Sequence, residues 1–201
     1  MNLLPKGTKR SGKAVSSRPV VVEAIVLILG LSVTSCGSSP TSTKIVHSRV
    51  KHKTAVASTA PAQLAKFISV NASMQEVTFT VVAAYNSNNG GFNFDGFSNG
   101  NLVFKVPVGW KVTIICQNHA KNLPHSCSIV PGAGTTMLAF GGASSPNPTQ
   151  GVPPGGSQTF SFTPNKTGTF RIACLVPGHE EAGMWDTFLV TSSGTPALQP
   201  V

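Results

Sequence analysis

Apolar and polar residues alternate with a period of two through most of the chain beyond residue 75. EVTFTVVAAY, residues 76–85, is the first clear run. NLVFKVP (101–107), WKVTIICQN (110–118), a short SCSIV, SQTFSFTP (157–164), GTFRIACL (168–175) and DTFLVTS (186–192) follow it. A two-residue period puts one face of a strand on a core and the other in water. The runs are separated by turn-forming stretches such as NSNNGGFNFDGFSNG, and residues 131–156 form a longer Gly/Pro/Ser-rich excursion. No sustained helical period and no internal repeat stands out. The pattern predicts an all-β fold, a β-sandwich or barrel, with a core spanning residues 69–192.

The N-terminal part reads differently. A basic segment up to Arg18 precedes the apolar run VVVEAIVLILGLSV (20–33). We read residues 1–35 as a signal peptide or membrane anchor; the uninterrupted apolar part is short for a membrane span. The run ends in VTSCG, and the small residues before Cys36 resemble the lipobox of bacterial lipoproteins. In that reading Cys36 carries the lipid and becomes the new N-terminus; the alternative is a cysteine near the end of an uncleaved anchor. Both readings place the rest of the chain on the extracytoplasmic face of the cell membrane. Residues 36–68 then form the lipidated cysteine and a flexible tether, with no acidic residue and a single aromatic, Phe67. His47 and His52 are read as solvated tether residues, and 69–201 as the folded domain.

The formal charge of +9 invites a nucleic-acid reading, but its distribution removes it. Ten of the 15 basic residues precede Phe67. Beyond it, Lys105, Lys111, Lys121, Lys166 and Arg171 are matched by Glu76, Asp95, Glu180, Glu181 and Asp186, so the folded part is near neutral. No basic stripe with interleaved aromatics exists there, which argues against nucleic acid as a partner. Few carboxylates also leave little native charge pairing to lose on acidification.

Candidate chemistry gathers in CLVPGHEEAGMW, residues 174–185. Phe170, Ile172 and Cys174 share one strand face, so Cys174 points inward as its strand ends. A turn at Pro177-Gly178 presents His179, and a turn through Gly183 delivers Met184. Thiolate and thioether are soft donors that suit copper, and a trigonal His₂Cys site with a weak axial Met is the blue-copper arrangement. That arrangement needs another histidine. His119 lies in polar CQNHAKN and reads as solvated, whereas His125 in NLPHSCSIV opens an apolar strand behind Pro124. His125 is the better choice. Taken singly, Met184 and Cys174 would be ordinary core filling and His179 a loop residue; the shared spacing favours one metal centre. Zinc ribbons and c-type haem need a CxxC pair that is absent. A dinuclear copper centre needs a second loop cysteine, and tetrahedral zinc rarely uses Met. Ser126 and Pro177 are candidates to hold the ligands from outside, and Trp185 to exclude water, although core packing is its plainer role. Glu180 and Glu181 carry no specific assignment. Cys116 and Cys127 are either a disulfide beside the site or free buried thiols, and the sequence favours free thiols.

Cys-x₄-His-x₄-Met, with PGH at the histidine and GMW at the methionine, resembles the ligand loop of the cupredoxins. It is most similar to sulfocyanin, with rusticyanin next. FNFDGFSNGNLVFKVPVGWKVTI and LPHS resemble the sulfocyanin pattern upstream. The likeness covers roughly residues 75–192 and leaves out the tether, and the lipobox departs from the uncleaved anchor often found in sulfocyanin-like proteins. The resemblance implies a Greek-key β-sandwich and one type 1 copper ion held by His125, Cys174, His179 and Met184. It implies a monomeric electron carrier, not an enzyme. Its respiratory partners would be donors and acceptors such as cytochromes or a terminal oxidase, often in acidophiles. The rivals are a copper storage or chaperone lipoprotein and a metal-free β-sandwich lipoprotein. A copper oxidase would need further histidines, and only His119 is left in the folded part.

Overall fold

The computed structural model describes residues 60–201. The expected signal or anchor over 1–35, the lipid site at Cys36, and the tether up to residue 59 with His47 and His52 lie outside the described residues.

The described residues fold as a β-sandwich of nine strands: β1 (Ile68–Asn71), β2 (Glu76–Ala83), β3 (Leu102–Pro107), β4 (Lys111–Asn118), β5 (Ser128–Val130), β6 (Ser157–Phe162), β7 (Gly168–Ala173), β8 (Trp185–Thr191) and β9 (Ala197–Pro200). One sheet has the order β1-β2-β4-β6, the other β5-β7-β8-β3-β9. β2 runs parallel to β4, and β3 parallel to β8; the remaining pairs are antiparallel. Alternation places an inward file on each central strand: Val77, Phe79 and Val81 on β2, Val112, Ile114 and Cys116 on β4, Phe188 and Val190 on β8. Phe79 meets Phe104 edge-on at 5.3 Å, and Phe162 meets Phe188 at 5.8 Å, so the two inner faces interlock across the sandwich.

The seven strands expected from periodicity all form, with ends trimmed by a residue or a few. β1 and β9 are the additions. β1 buries little of itself, and β9 carries a proline and buries Leu198 alone, so neither shows a clean alternation. The folded part also starts upstream of residue 69. A short helix, Ala60–Leu64, and a 3₁₀ turn, Ala65–Phe67, bury Leu64 and Phe67 against the core.

The 131–156 excursion is tied down. Ala139 N–H donates to Ile129 O, Ile129 N–H to Ala143 O and Ser145 N–H to Cys127 O. Phe140 lies parallel to Phe162 at 5.8 Å and edge-on to Phe170 at 4.8 Å, which plugs one end of the sandwich. Cys116 and Cys127 form a disulfide with a Cα–Cα distance of 5.9 Å, where the sequence favoured free thiols. The inward file of β4 carries Cys116 toward the opposite sheet, and Cys127 waits there beside β5, within disulfide reach.

Candidate metal centre

The 174–184 loop is a closed hairpin. Cys174 N–H donates to Met184 O (3.1 Å) at its neck. Within it, His179 N–H bonds Val176 O, Gly183 N–H bonds Glu180 O, and Met184 N–H bonds His179 O at 2.9 Å. Gly178 and Gly183 supply the left-handed backbone that these tight turns require, at φ 83° and 90°. Gly183 also has no room for a side chain, because a Cβ there would collide with Asn99. Asn99 N–H donates to Gly183 O, and Asn89 Nδ2 donates to Ala182 O (2.8 Å), so the turn-rich 86–100 segment buttresses the loop.

His125 is fixed independently. It exchanges backbone hydrogen bonds with Val152, at 3.1 and 2.6 Å, pinning the end of the excursion against it. Asn118 at the end of β4 donates to Leu123 O and Val152 O, shaping the approach to His125.

His125, Cys174 and His179 come together, with one potential ligand atom from each lying within 4.8 Å of the others. Cys174 Sγ is 3.3 Å from His179 Nδ1 and 4.0 Å from His125 Nδ1. The imidazole centroids are 4.9 Å apart. Met184 is fully buried immediately before β8. Ser126 serves the sulfur directly: its N–H lies 3.2 Å from Cys174 Sγ and its hydroxyl 3.7 Å away, while the same Oγ accepts Leu175 N–H at 2.8 Å. Pro177 is exposed at the turn. Trp185 is half-buried in a small cluster with Val130, Ala173 and Leu175, apart from the main core. Phe92 takes the place beside the histidines, edge-on to His179 at 4.9 Å and to His125 at 6.2 Å. His119 is exposed on the rim of a groove that also touches Phe92, Leu123 and His125.

Burial sets the protonation states. It lowers His125 to about 4, helped by the neighbouring His179, and lowers His179 against an opposing pull from Glu181. It raises the Cys174 thiol, against the N–H groups of Ser126 and Val176 and the Ser126 hydroxyl. Both imidazoles are therefore neutral acceptors near pH 7, and only the thiol must lose a proton for a metal to bind. A buried S,N,N set with N–H groups on its sulfur suits a soft, borderline ion such as copper.

Residues 63–198 match the sulfocyanin (SoxE) domain family. The chain belongs to this family. Sulfocyanin of Sulfolobus acidocaldarius is 27% identical over 137 residues, covering 62% of this chain and 68% of that protein. Among solved structures, auracyanin A of Chloroflexus aurantiacus, a blue copper protein, is 19% identical, spans 58% of this chain and 99% of its own, and gives a TM-score of 0.43. Rusticyanin of Thiobacillus ferrooxidans is 21% identical, covers 65% and 90% respectively, and gives a TM-score of 0.40. The two-sheet β-sandwich described above is therefore the fold of a sulfocyanin-family domain.

Asp95, Asp186, Asn93 and Asn118 are buried polar residues that sequence reasoning passed over. Asp186 shares the inward file of Phe188 and Val190, and Asn118 that of Ile114 and Cys116, so strand phase marks both. Asp186 Oδ1 accepts Leu102 N–H and Asp95 Oδ1 accepts Val82 N–H, while both Oδ2 atoms lack a protein partner. Desolvation raises Asp95 well above its ordinary value and Asp186 to about 7. Asp95 lies in a turn-rich stretch without periodicity, and no sequence signal marks it.

Proposed function

We propose that the protein is a mononuclear type 1 copper electron carrier. The observation that supports it is the buried convergence of Cys174 Sγ with the imidazoles of His125 and His179, one donor atom from each lying within 4.8 Å of the others. His125, Cys174 and His179 would hold the ion, with the buried thioether of Met184 as a further donor. A bound copper ion supplies one-electron exchange between Cu(I) and Cu(II).

The chain's own residues prepare that exchange. The Cys174–Met184 neck and the His125–Val152 pair hold the ligands on separate rigid supports, so little rearrangement is needed per electron. The Ser126 N–H withdraws charge from the sulfur, which favours the reduced state. Phe92 and the buried flanks of the imidazoles keep water away. His179, with 8% of its surface open against 1% for His125, would be the more accessible ligand edge for electron exchange with a weakly docked partner.

In this reading a lipid at Cys36, or an uncleaved anchor, tethers the monomer outside the cytoplasmic membrane. Its respiratory partners are donors and acceptors such as cytochromes or a terminal oxidase. The family match and the donor set support the copper part; the basic-then-apolar leader ending in VTSCG supports the tether. Cu(II) added to the purified protein is expected to produce an intense visible thiolate-to-copper band that Cys174→Ala abolishes. A band that survives Cys174→Ala would contradict the assignment. A store or chaperone, by contrast, would hold copper in one oxidation state and fail to cycle.

A further inference from the structure

Glu180 follows one ligand, His179, and Trp185 follows another, Met184. A single guanidinium touches both. Arg171 Nη1 on β7 is 3.0 Å from Glu180 Oε1, and its central carbon lies 3.7 Å from the Trp185 ring centroid. The second Glu180 oxygen accepts Gly134 N–H at 3.0 Å, from the 131–156 excursion. The Glu180 side chain is 10% exposed and that of Arg171 26%, so the pair is largely out of water and weakly screened by salt. Stacking on an indole face adds cation–π attraction and fixes the plane of the guanidinium.

We propose that Glu180 is a positioning residue for the metal loop, with Arg171 and Trp185 as its frame. This rests on the copper reading above. The loop's internal hydrogen bonds set its shape but do not fix it to the sandwich. Its neck is held where Cys174 and Met184 meet, and Asn89 and Asn99 hold its far turn. Between these supports, His179 packs against Phe92 and His125, and Glu180 next to it faces the excursion at Gly134. Glu180 closes that gap: it ties the residue next to His179 to β7 and to Gly134 at once. Glu180 thereby limits how far His179 Nδ1 drifts from Cys174 Sγ, 3.3 Å away, and so how the two donors would present themselves to a bound ion.

The test uses Glu180→Gln and Arg171→Lys in the full chain, alone and together, with Glu76→Gln as control. Glu76 pairs with Lys111 at the end of β2 remote from the site. In the copper-loaded protein, each of the first two is expected to shift the reduction potential and the visible band. Each should also raise the copper dissociation rate about tenfold, the lower end of what loss of an outer partner does to metal affinity. The double variant should change less than the sum of the two singles, because both remove the shared Arg171–Glu180 contact. In the metal-free protein, Glu180→Gln should speed amide exchange at Gly134, and Glu76→Gln should leave it unchanged. An unaltered potential in Glu180→Gln, strictly additive effects, or unchanged Gly134 exchange would overturn the proposal. If the parent protein takes up no copper, the copper reading fails, while Gly134 exchange still decides whether the clamp exists.

Discussion

Ser126 carries more than its position in the sequence suggests. Its Oγ accepts Leu175 N–H and its N–H and hydroxyl both face Cys174 Sγ, so one small side chain joins the two ligand strands. Ser126→Ala leaves a buried N–H on Leu175 without a partner, a cost of about 1–3 kcal/mol. The expected result is a lower midpoint in denaturant at unchanged slope, with a shifted copper potential; an unchanged midpoint would remove Ser126 from this role. Strand phase made the inward aim of Cys174 legible, since Phe170 and Ile172 precede it on the same face. Ser126 was recognisable only as a neighbour of His125. Phe92 and Asp95 were not legible, because both sit in a turn-rich segment whose geometry depends on contacts with the distant 182–185 stretch and β2.

At the level of elements, the central strands were readable because each has a clean inside and outside. The edges were not: β1 and β9 have little to bury, and their pairing is decided by the strands already in place. The excursion looked like an open loop by composition, yet it packs Phe140 into the sandwich and presents Val152 to His125. The disulfide joins β4 to the segment entering β5, next to this junction. It closes a short loop, with a sequence separation of 11, and is expected to stabilise the fold by about 2–4 kcal/mol. Mass measurement before and after reduction and alkylation should show two cysteines released from a bond, and reduction should lower the unfolding midpoint. A protein whose Cys116 and Cys127 are alkylated without reductant would contradict this pairing.

For the whole molecule, buried ionisable groups pull stability in opposite directions with pH. The folded state raises Asp186 from 3.8 to about 7, so it binds that proton more tightly than the unfolded chain. This contribution is fully present below pH 3.8 and is lost as pH rises through about 7, on the order of 4 kcal/mol. The metal-free histidines act the other way: His125 is lowered from 6.5 to about 4, and its contribution, present above 6.5, is lost as pH falls from there through about 4. In copper-loaded protein the ligands are held unprotonated while the unfolded chain still takes up protons, so the histidine contribution goes on falling with pH below 6.5 for as long as the ion stays bound. Asp186→Asn should gain stability relative to the parent as pH rises from 4 to about 7, as read by the difference between their unfolding midpoints across a pH series. A variant as pH-sensitive as the parent would contradict the assignment.

The most direct measurement of the central claim is a Cu(II) titration of the purified protein, followed by repeated reduction and reoxidation. One copper ion per chain should saturate the visible band. The band should vanish on reduction and return on oxidation without loss of metal. A protein that stays colourless with Cu(II), or that binds copper but releases it on cycling, would contradict the account.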